Sequence, residues 1–297
     1  MNIVDFTSYL ADVRGMADNT VMAYRRDLTA FEEFVEKQGL EDLNFVSNAT
    51  VIEYLLFLKN QGKSKATVNR KLASLRSYYQ FLQNQGVIQE NPTQDIHSPK
   101  IARKKISYLS IPEVNRLLSL PDDSVMGKRD RAILEVMYAT GVRVSEIIEM
   151  SLSDVNLRMG FVTCHGDHGR ARIVPMGLPS QQAVKVYLKE SRPLLMKDSD
   201  PSDPAGPLFV NYLGKPFSRQ GFWKVLKQYG DRLKSEEPLT PQSLRNSFAM
   251  HMVQNGIDIK SLQELMGHED IAATQAYFGD LKTRIKNIYD KTHPRAK

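Results

Sequence analysis

Residues 239–280 read LTPQSLRNSFAMHMVQNGIDIKSLQELMGHEDIAATQAYFGD, within a C-terminal part of the chain that is predicted to be mostly helical. The stretch carries Arg245, His268 and Tyr277. Taken singly, His268 is explained as a core histidine that closes a helix, and Tyr277 as an ordinary packed tyrosine. These residues gain a functional meaning only together with the rest of the chain.

Two further segments bear on the interpretation of that stretch. Residues 138–155, YATGVRVSEIIEMSLSDV, carry Arg143 just past a glycine, where a surface arginine is the ordinary explanation. Residues 161–176, FVTCHGDHGRARIVPM, are rich in Val and Ile around glycine, which predicts a β-hairpin. We therefore expect an α-rich second domain with one small sheet over residues 107–297.

The N-terminal third of the chain reads as four helices joined by short loops. Apolar residues recur at helical spacing, and Asn19-Thr20 is a typical N-cap for the second helix. The glycines that close successive helices are Gly39, Gly62 and Gly86. This pattern predicts a small helical bundle over residues 1–90. Residues 91–106, with two prolines and a basic run, predict a linker between the two domains.

The charge of the chain is compatible with a polyanionic partner. The 297 residues carry a formal net charge of +6, and the segment from Lys59 to Lys105 holds ten basic residues against two acidic ones. A basic face of this kind suits a phosphate backbone, although a solvated, charge-rich helix has the same composition. Charge alone therefore leaves both explanations open.

The cysteine and hydropathy patterns predict a cellular location. The single cysteine, Cys164, excludes a disulfide within the chain and indicates a reducing compartment. The chain has no apolar run of about 18 residues, and its first residues lack the features of a signal peptide. We therefore expect a cytoplasmic protein without membrane contact. His165 and His168 lie near Cys164, but no convincing fourth ligand accompanies them, so we expect no metal site.

Four blocks of the sequence together resemble one family. They are ATGVRVSE at 139–146, LTPQSLRNSFAMH at 239–251, LQELMGHEDI at 262–271 and ATQAY at 273–277. In this order they resemble the signature blocks of the tyrosine recombinases, in particular those of the Xer type. NTVMAYRRDL, GKPFSRQGFWK and the terminal HPRA extend the likeness along nearly the whole chain. The resemblance implies a mainly α fold with a small β-sheet, in which a four-helix SAM-like core-binding domain precedes an α-rich catalytic domain.

The resemblance also implies a nucleophile and a set of phosphate ligands. By matching position, Tyr277 attacks a DNA phosphodiester, forming a 3′-phosphotyrosyl link and releasing a 5′-hydroxyl. Arg143 and Arg245 hold the non-bridging oxygens, because a planar guanidinium matches phosphate and stabilises the charge that develops on it. His268 donates a hydrogen bond to the same phosphate. Since the arginines supply the charge, the resemblance implies no metal or other cofactor.

Two positions depart from the pattern of the family. Its members place a histidine where this chain has Gln242, and a catalytic lysine in the hairpin where this chain has Asp167. Those residues move protons, whereas glutamine cannot exchange a proton near neutral pH and an ionised aspartate repels phosphate. Losing one such group costs about 10²–10⁴ in rate. His165 or His168 could supply a proton from the hairpin, and Arg170 could supply charge.

Further basic residues are expected to contact DNA. They lie on the fourth helix, in the linker and in the hairpin, and comprise Arg70, Lys71, Arg76, Arg103, Lys104, Lys105 and Arg170. In this family the last helix often docks on a neighbouring protomer, and Ile285, Ile288 and Tyr289 would form its apolar face here. Docking of that helix on its own domain is the alternative.

Two functions remain open from the sequence. The first is a site-specific recombinase of the Xer type that acts on double-stranded DNA, as a homo-oligomer or with a partner recombinase. The second is a DNA-binding regulator or architectural protein with impaired chemistry, which Asp167 and Gln242 favour. A topoisomerase-like activity would need the same proton-handling groups and meets the same objection.

Overall fold

The computed structural model describes residues 1–40, 42–99, 105–166, 169–197 and 203–279. The chain divides into two compact units, Met1–Lys104 and Lys105–Lys297. The first unit is helical, and the second combines helices with one small sheet. The predicted mainly α fold with a small β-sheet is therefore confirmed. Within the described ranges, no helix is long and apolar enough to cross a membrane.

The helices of the first unit begin where local sequence provides a cap. They are α1 (Ile3–Ser8), which continues as a π-helix over Tyr9–Val13, α2 (Asp18–Glu36), α3 (Asn48–Asn60) and α4 (Lys65–Asn84). Ser47 and Ser64 cap α3 and α4 by accepting hydrogen bonds from backbone N–H groups of the first turn. The expected cap at Asn19-Thr20 is wrong, because the Ala17 carbonyl already accepts from the Thr20 N–H and α2 begins at Asp18.

The core of the first unit is rich in aromatic side chains. Its fully buried members include Phe6, Leu28, Phe31, Tyr54, Leu72, Tyr78, Tyr79 and Leu82. The glycines expected to close the helices, Gly39, Gly62 and Gly86, follow α2, α3 and α4 with positive φ. Glycine adopts this left-handed conformation without strain, so each helix ends where the sequence predicts.

One buried carboxylate, that of Asp27 on α2, joins two helices of this unit. It forms ion pairs with Arg70 and, at 3.2 Å, with Lys71 Nζ, and it accepts a hydrogen bond from Ser74 Oγ at 3.0 Å. All three partners lie on α4. The cluster therefore stabilises the packing of α4 on α2 and compensates a carboxylate that burial alone would penalise.

The second unit combines helices with a small three-stranded sheet. Its helices are α5 (Ile111–Ser119), α6 (Val125–Thr140), α7 (Val144–Glu149), α8 (Leu178–Val186) with its π-helical continuation Tyr187–Ser191, α9 (Arg192–Leu195), α10 (Arg219–Leu233), α11 (Pro241–Gln254), α12 (Ile259–Met266) and a helical segment over 271–279. Its strands are β1 (Val155–Asn156), β2 (Phe161–His165) and β3 (Ala171–Pro175).

The sheet is antiparallel, with the strand order β1-β2-β3. In the β2–β3 pair, Phe161 lies opposite Pro175 and His165 opposite Ala171, so the predicted hairpin is confirmed. Val162 and Val174 are paired across the strands and buried. One face of the sheet thus packs on the core, as alternation along a strand dictates.

The close approach of α6 and α11 brings the candidate site together. α6 ends at Gly141, which has φ +59°. A Cβ atom on Gly141 would lie 2.4 Å from Cδ1 of Phe248 on α11, so a larger residue would not fit there. The two helices therefore meet at this glycine. Arg143 follows it by two residues and Arg245 lies on α11, so the contact between the helices brings these two arginines near each other.

Candidate active site

A buried glutamate at the start of α7 holds two arginines. Arg143 is the N-cap residue of α7, and Glu146 accepts from its backbone N–H at 2.7 Å and from its Nη1 at 2.9 Å. Arg172 of β3 donates to both carboxylate oxygens of Glu146, at 2.6 and 2.9 Å. Burial raises the pKa of the Glu146 carboxyl, but the hydrogen bonds from Arg172 and the Arg143 N–H outweigh it and lower the pKa to about 2.

Both of these arginines also contact the end of α12. Arg143 Nη2 donates to the Gly267 carbonyl at 2.5 Å, and Arg172 Nε donates to the Leu265 carbonyl at 2.8 Å. The last carbonyl groups of a helix have no partner within the helix and carry its negative dipole end, so they attract cations. These contacts join the hairpin, α7 and α12 into one polar framework.

Arg245 of α11 is a buried cation. Its Nη1 donates to the Gly141 carbonyl, and its Nη2 donates to the Met266 carbonyl at 2.5 Å. In the part of the chain that the structure describes, Arg245 forms no ion pair with a carboxylate. Burial and the neighbouring Arg143 charge lower its pKa to about 10. Its direct hydrogen-bond partners in the described structure are therefore neutral carbonyl groups, and the Glu146 carboxylate acts on its charge without a direct contact.

His268 follows Gly267, whose φ of +60° ends α12. Its Nδ1 lies 2.9 Å from Oγ1 of the buried Thr274, on the helical segment 271–279. Burial, followed by the charges of Arg245 and Arg143, lowers the pKa of His268 to about 4. The imidazole is therefore neutral near neutral pH, with Nε2 as its remaining polar atom.

Tyr277 is buried on the helical segment 271–279. Its hydroxyl donates to Asn246 Oδ1 at 2.8 Å. Its ring lies nearly parallel to that of His268, with the ring centroids 6.4 Å apart and 7° between the planes. Burial raises the pKa of Tyr277 above the ordinary tyrosine value, and the positive charge of Arg245 opposes this rise. The structure thus brings Tyr277, His268 and Arg245 together.

In the described structure, Gln242 is linked to Tyr277 through Asn246. Gln242 Nε2 donates to Asn246 Oδ1 at 2.8 Å, the oxygen that also accepts from the Tyr277 hydroxyl. Asn246 Nδ2 donates to the Ser107 carbonyl at 2.9 Å. Two side-chain amides thus occupy the space beside the tyrosine hydroxyl, and neither exchanges a proton near neutral pH.

An open cavity of about 460 Å³ lies over this framework. The residues that line it include Arg143, Arg170, Arg172, Gln263, Glu264, Gly267, His268 and Glu269. Basic side chains therefore share its wall with two exposed glutamates.

The hairpin tip is only partly described. Asp167 and His168 lie outside the described residues. Arg170 is exposed, with Nη1 at 3.7 Å from Glu269 Oε1, a distance at which an exposed pair contributes little. His165 Nε2 pairs with Asp154 Oδ1 at 2.7 Å, so one of its nitrogens is engaged. Among the described residues, no group of His, Cys, Asp and Glu side chains could hold a metal ion.

The residues expected to contact DNA differ in their availability. Lys71, with 12% of its side chain exposed, is paired with Asp27, whereas Arg70 keeps 53% of its side chain exposed. Arg76 donates to Ser98 Oγ at 3.0 Å and to the Ile96 carbonyl. Lys105 is exposed. The expected contacts Arg103 and Lys104, and the expected docking residues Ile285, Ile288 and Tyr289, lie outside the described residues.

Three residues of the site were not identified from the sequence. Glu146 stands three residues after Arg143, the spacing at which a carboxylate reaches back to the helix N-terminus, and that signal could have found it. Asn246 is one turn from Gln242 on α11, but nothing local predicts its contact with Tyr277. Arg172 is joined to Glu146 only by the fold.

Comparison of the sequence with family profiles and known proteins establishes the family to which this fold and site belong. The chain belongs to the phage integrase family, whose profile matches residues 107–284, and the profile of the phage integrase N-terminal SAM-like domain matches residues 3–86. Proteins named tyrosine recombinase XerD, from Listeria monocytogenes serotype 4b and Oceanobacillus iheyensis, are 39% and 40% identical to it. The matches cover 99% of this chain and 99% and 98% of theirs. The expected likeness to tyrosine recombinases of the Xer type is confirmed.

Solved structures share the fold. XerA recombinase is 25% identical, with a TM-score of 0.53, over 99% of this chain and 98% of its own. XerH site-specific recombinase bound to a palindromic difH substrate is 19% identical, with a TM-score of 0.76, over 97% of this chain and 84% of its own. The second likeness concerns the fold alone.

Proposed function

We propose that this chain binds double-stranded DNA site-specifically, holds one phosphodiester against the arginine cluster, and cuts and rejoins the strand through Tyr277. Relatives that match it along their whole length carry the name tyrosine recombinase. XerH, which shares its fold, was solved on a difH substrate. In this proposal residues 1–90 and 107–297 are the two DNA-binding domains, residues 91–106 link them, and the protein is cytoplasmic.

The observation that carries the proposal is the unbalanced charge of the site. Three guanidinium groups, those of Arg143, Arg172 and Arg245, converge on a single described carboxylate, Glu146. Arg245 is buried without an ion pair of its own among the described residues. A buried charge that lacks a counter-ion is costly, and a bound anion relieves that cost. A phosphodiester has the charge and the paired oxygens that guanidinium groups bind.

The proposed chemistry requires two proton transfers. Tyr277 Oη forms a bond to phosphorus while the bond from phosphorus to the 5′-oxygen breaks, so the phenol loses a proton and the leaving oxygen gains one. Neutral His268 donates a hydrogen bond to a non-bridging oxygen, and Arg143 and Arg245 stabilise the charge of the transition state. Gln242 and Asp167 stand where the family has its proton-handling residues, so we expect slow cleavage.

A second candidate function is DNA binding without cleavage, in a regulator or architectural protein. The hydrogen bonding of Gln242 favours this second function. Its amide nitrogen donates to Asn246, and an amide cannot take a proton from Tyr277. The arginine cluster does not depend on Gln242. Phosphate binding therefore survives in this alternative while strand transfer is lost.

The partners of the proposed complex follow from the same reasoning. Arg70, Lys71, Arg76, Arg103, Lys104, Lys105 and Arg170 are proposed as DNA contacts, with phosphate contacts determining affinity and salt dependence. The C-terminal residues after 280 are proposed to join a second copy of the chain or a partner recombinase on DNA.

The test is a covalent trapping assay. Genome-wide DNA binding by the tagged protein supplies the site, and a duplex of that site with a nick beside the scissile phosphate traps the phosphotyrosyl product. We expect a DNA–protein adduct on a denaturing gel that Tyr277→Phe abolishes while DNA binding persists. Specific binding without any adduct over long incubation supports the second candidate, and absence of specific binding contradicts both.

A further inference from the structure

The hydrogen bonds around the Tyr277 hydroxyl determine where its proton points. The Ser107 carbonyl can only accept, so the nitrogen of the Asn246 amide faces Ser107. The oxygen of that amide consequently faces Tyr277 and Gln242. An amide oxygen has no proton to give, so Tyr277 must be the donor.

Asn246 is held rigidly for this contact. It lies on α11, directly after Arg245, and only 9% of its surface is exposed. Its neighbour Ser247 accepts from the Leu109 N–H at 2.9 Å, so the segment from Ser107 to Leu109 is joined to α11 at two consecutive residues. Gln242, one helical turn before Asn246, uses the second lone pair of the same oxygen. The contacts with Ser107, Gln242 and Tyr277 restrict rotation of the Asn246 amide, and the Ser247 contact fixes the backbone segment that carries Ser107.

The chemical effect of the contact is specific. An amide oxygen accepts a hydrogen bond without taking the proton, so it favours the neutral phenol over the phenolate. The described charged or titratable groups around Tyr277 are Arg245 on α11, whose charge lowers the pKa of Tyr277, and the stacked His268 after α12. Burial prevails and the pKa of Tyr277 is raised.

We propose that Asn246 is a positioning residue for the nucleophile: its amide, anchored on the Ser107 carbonyl and shared with Gln242, holds the Tyr277 hydroxyl protonated in one orientation within the site. The inference rests on the proposed function for its catalytic meaning. The hydrogen bond itself exists without DNA, so it can be tested separately.

The test compares Asn246→Ala and Asn246→Asp with a matched control, Asn255→Ala. Asn255 also lies at α11, and its amide donates to a backbone carbonyl, that of His251, at 2.8 Å, without contact to Tyr277. The full chain is labelled with 3-fluorotyrosine, whose more acidic phenol titrates at lower pH, and the Tyr277 resonance is assigned in ¹⁹F NMR spectra by Tyr277→Phe.

The expected results have opposite signs. Asn246→Ala removes the acceptor that favours the neutral phenol, so the pKa of Tyr277 falls. Asn246→Asp places a negative charge beside the phenolate, so the pKa rises, and Asn255→Ala leaves it unchanged. In the trapping assay, Asn246→Ala slows adduct formation about 10- to 100-fold, the effect of a misplaced reacting group, while the Kd for DNA changes less than about twofold.

Other outcomes separate the two proposals. If the unaltered protein forms no adduct but the pKa of Tyr277 shifts as described, the proposed function fails and the role of Asn246 in holding the hydroxyl stands. If Asn246→Ala forms adduct at the rate of the unaltered protein and the titration of Tyr277 does not move, the positioning role is overturned. Should Asn246→Ala unfold, the near-isosteric Asn246→Asp decides, since an unchanged or lowered pKa of Tyr277 in that variant contradicts the proposal.

Discussion

Replacement of Glu146 by glutamine tests how the arginine cluster is held. Glu146 is the one described carboxylate that pairs with both Arg143 and Arg172. Glutamine keeps the shape of the side chain but loses the charge, and its amide nitrogen would face donors that need an acceptor. Glu146→Gln should therefore leave Arg143, Arg172 and Arg245 mutually repelling, with no charged partner among the described residues.

The expected loss of stability follows from the pKa of Glu146. Folding lowers that pKa from 4.5 to about 2, so the ionised form is favoured in the folded state. A lowering of about 2.5 corresponds to about 3 kcal/mol of free energy of unfolding. Because the pKa is depressed, this stability is fully present above pH 4.5 and is lost as the pH falls through about 2. The group is nearly fully buried, so solvent screening does not reduce the figure much.

The assay is chemical denaturation followed by circular dichroism at pH 7 and at lower pH. We expect Glu146→Gln to unfold with about 3 kcal/mol less free energy at pH 7, and the difference from the unaltered protein to shrink as the pH falls below 4.5. Glu149→Gln is the matched control, because Glu149 lies exposed on the same helix. A Glu146→Gln variant that is as stable as the Glu149→Gln control at pH 7 refutes this reasoning.

Three further predictions concern other parts of the chain. The His268 imidazole should titrate near pH 4 in the free protein, as ¹⁵N-detected NMR would report; a midpoint near 6.5 would contradict the burial and arginine charges that lower its pKa. The double variant Asp167→Lys with Gln242→His should form the covalent adduct at least about 100-fold faster than the unaltered protein, and equal rates would show that these positions do not limit cleavage. Lys105→Ala should reduce the slope of log affinity for DNA against log salt concentration by about one, because it removes one proposed phosphate contact. Lys71→Met should instead lower the free energy of unfolding of the first unit by about 1–3 kcal/mol, as chemical denaturation would measure. The reverse pattern would place the DNA contact at Lys71.

The sequence predicted the fold, and it pointed to candidate site residues that lie close together in the structure, because short local patterns carry both signals. Glycines, caps and periodic apolar residues determine where helices run, and the structure confirms the helical bundle and the hairpin. Four short sequence motifs identified the candidate residues Arg143, Arg245, His268 and Tyr277. The structure brings all four to the region where α7, α11 and α12 meet.

Contacts between distant residues could not be predicted in the same way. Arg172 donates to the carbonyl of Leu265, 93 residues away, and Asn246 accepts from Tyr277, 31 residues away. Such pairs depend on how the hairpin and the helices pack, and no local spacing encodes that packing. The same limit applies to Lys71, which sequence composition marks as a basic surface residue but which is largely covered and paired with a carboxylate of α2.

The separation of charge from proton transfer within the site explains why both proposed functions are physically reasonable. The cations are held by Glu146 and by carbonyl groups at helix ends, contacts in which Gln242 takes no part. Among the described residues, the side chain of Gln242 donates to the Asn246 amide beside the tyrosine, and Asp167 lies outside the described residues. In the proposed mechanism, a change at Gln242 therefore alters proton transfer while the arginine contacts proposed to hold phosphate are preserved. For this reason DNA affinity cannot discriminate between recombinase and regulator, and only formation of the phosphotyrosyl bond can.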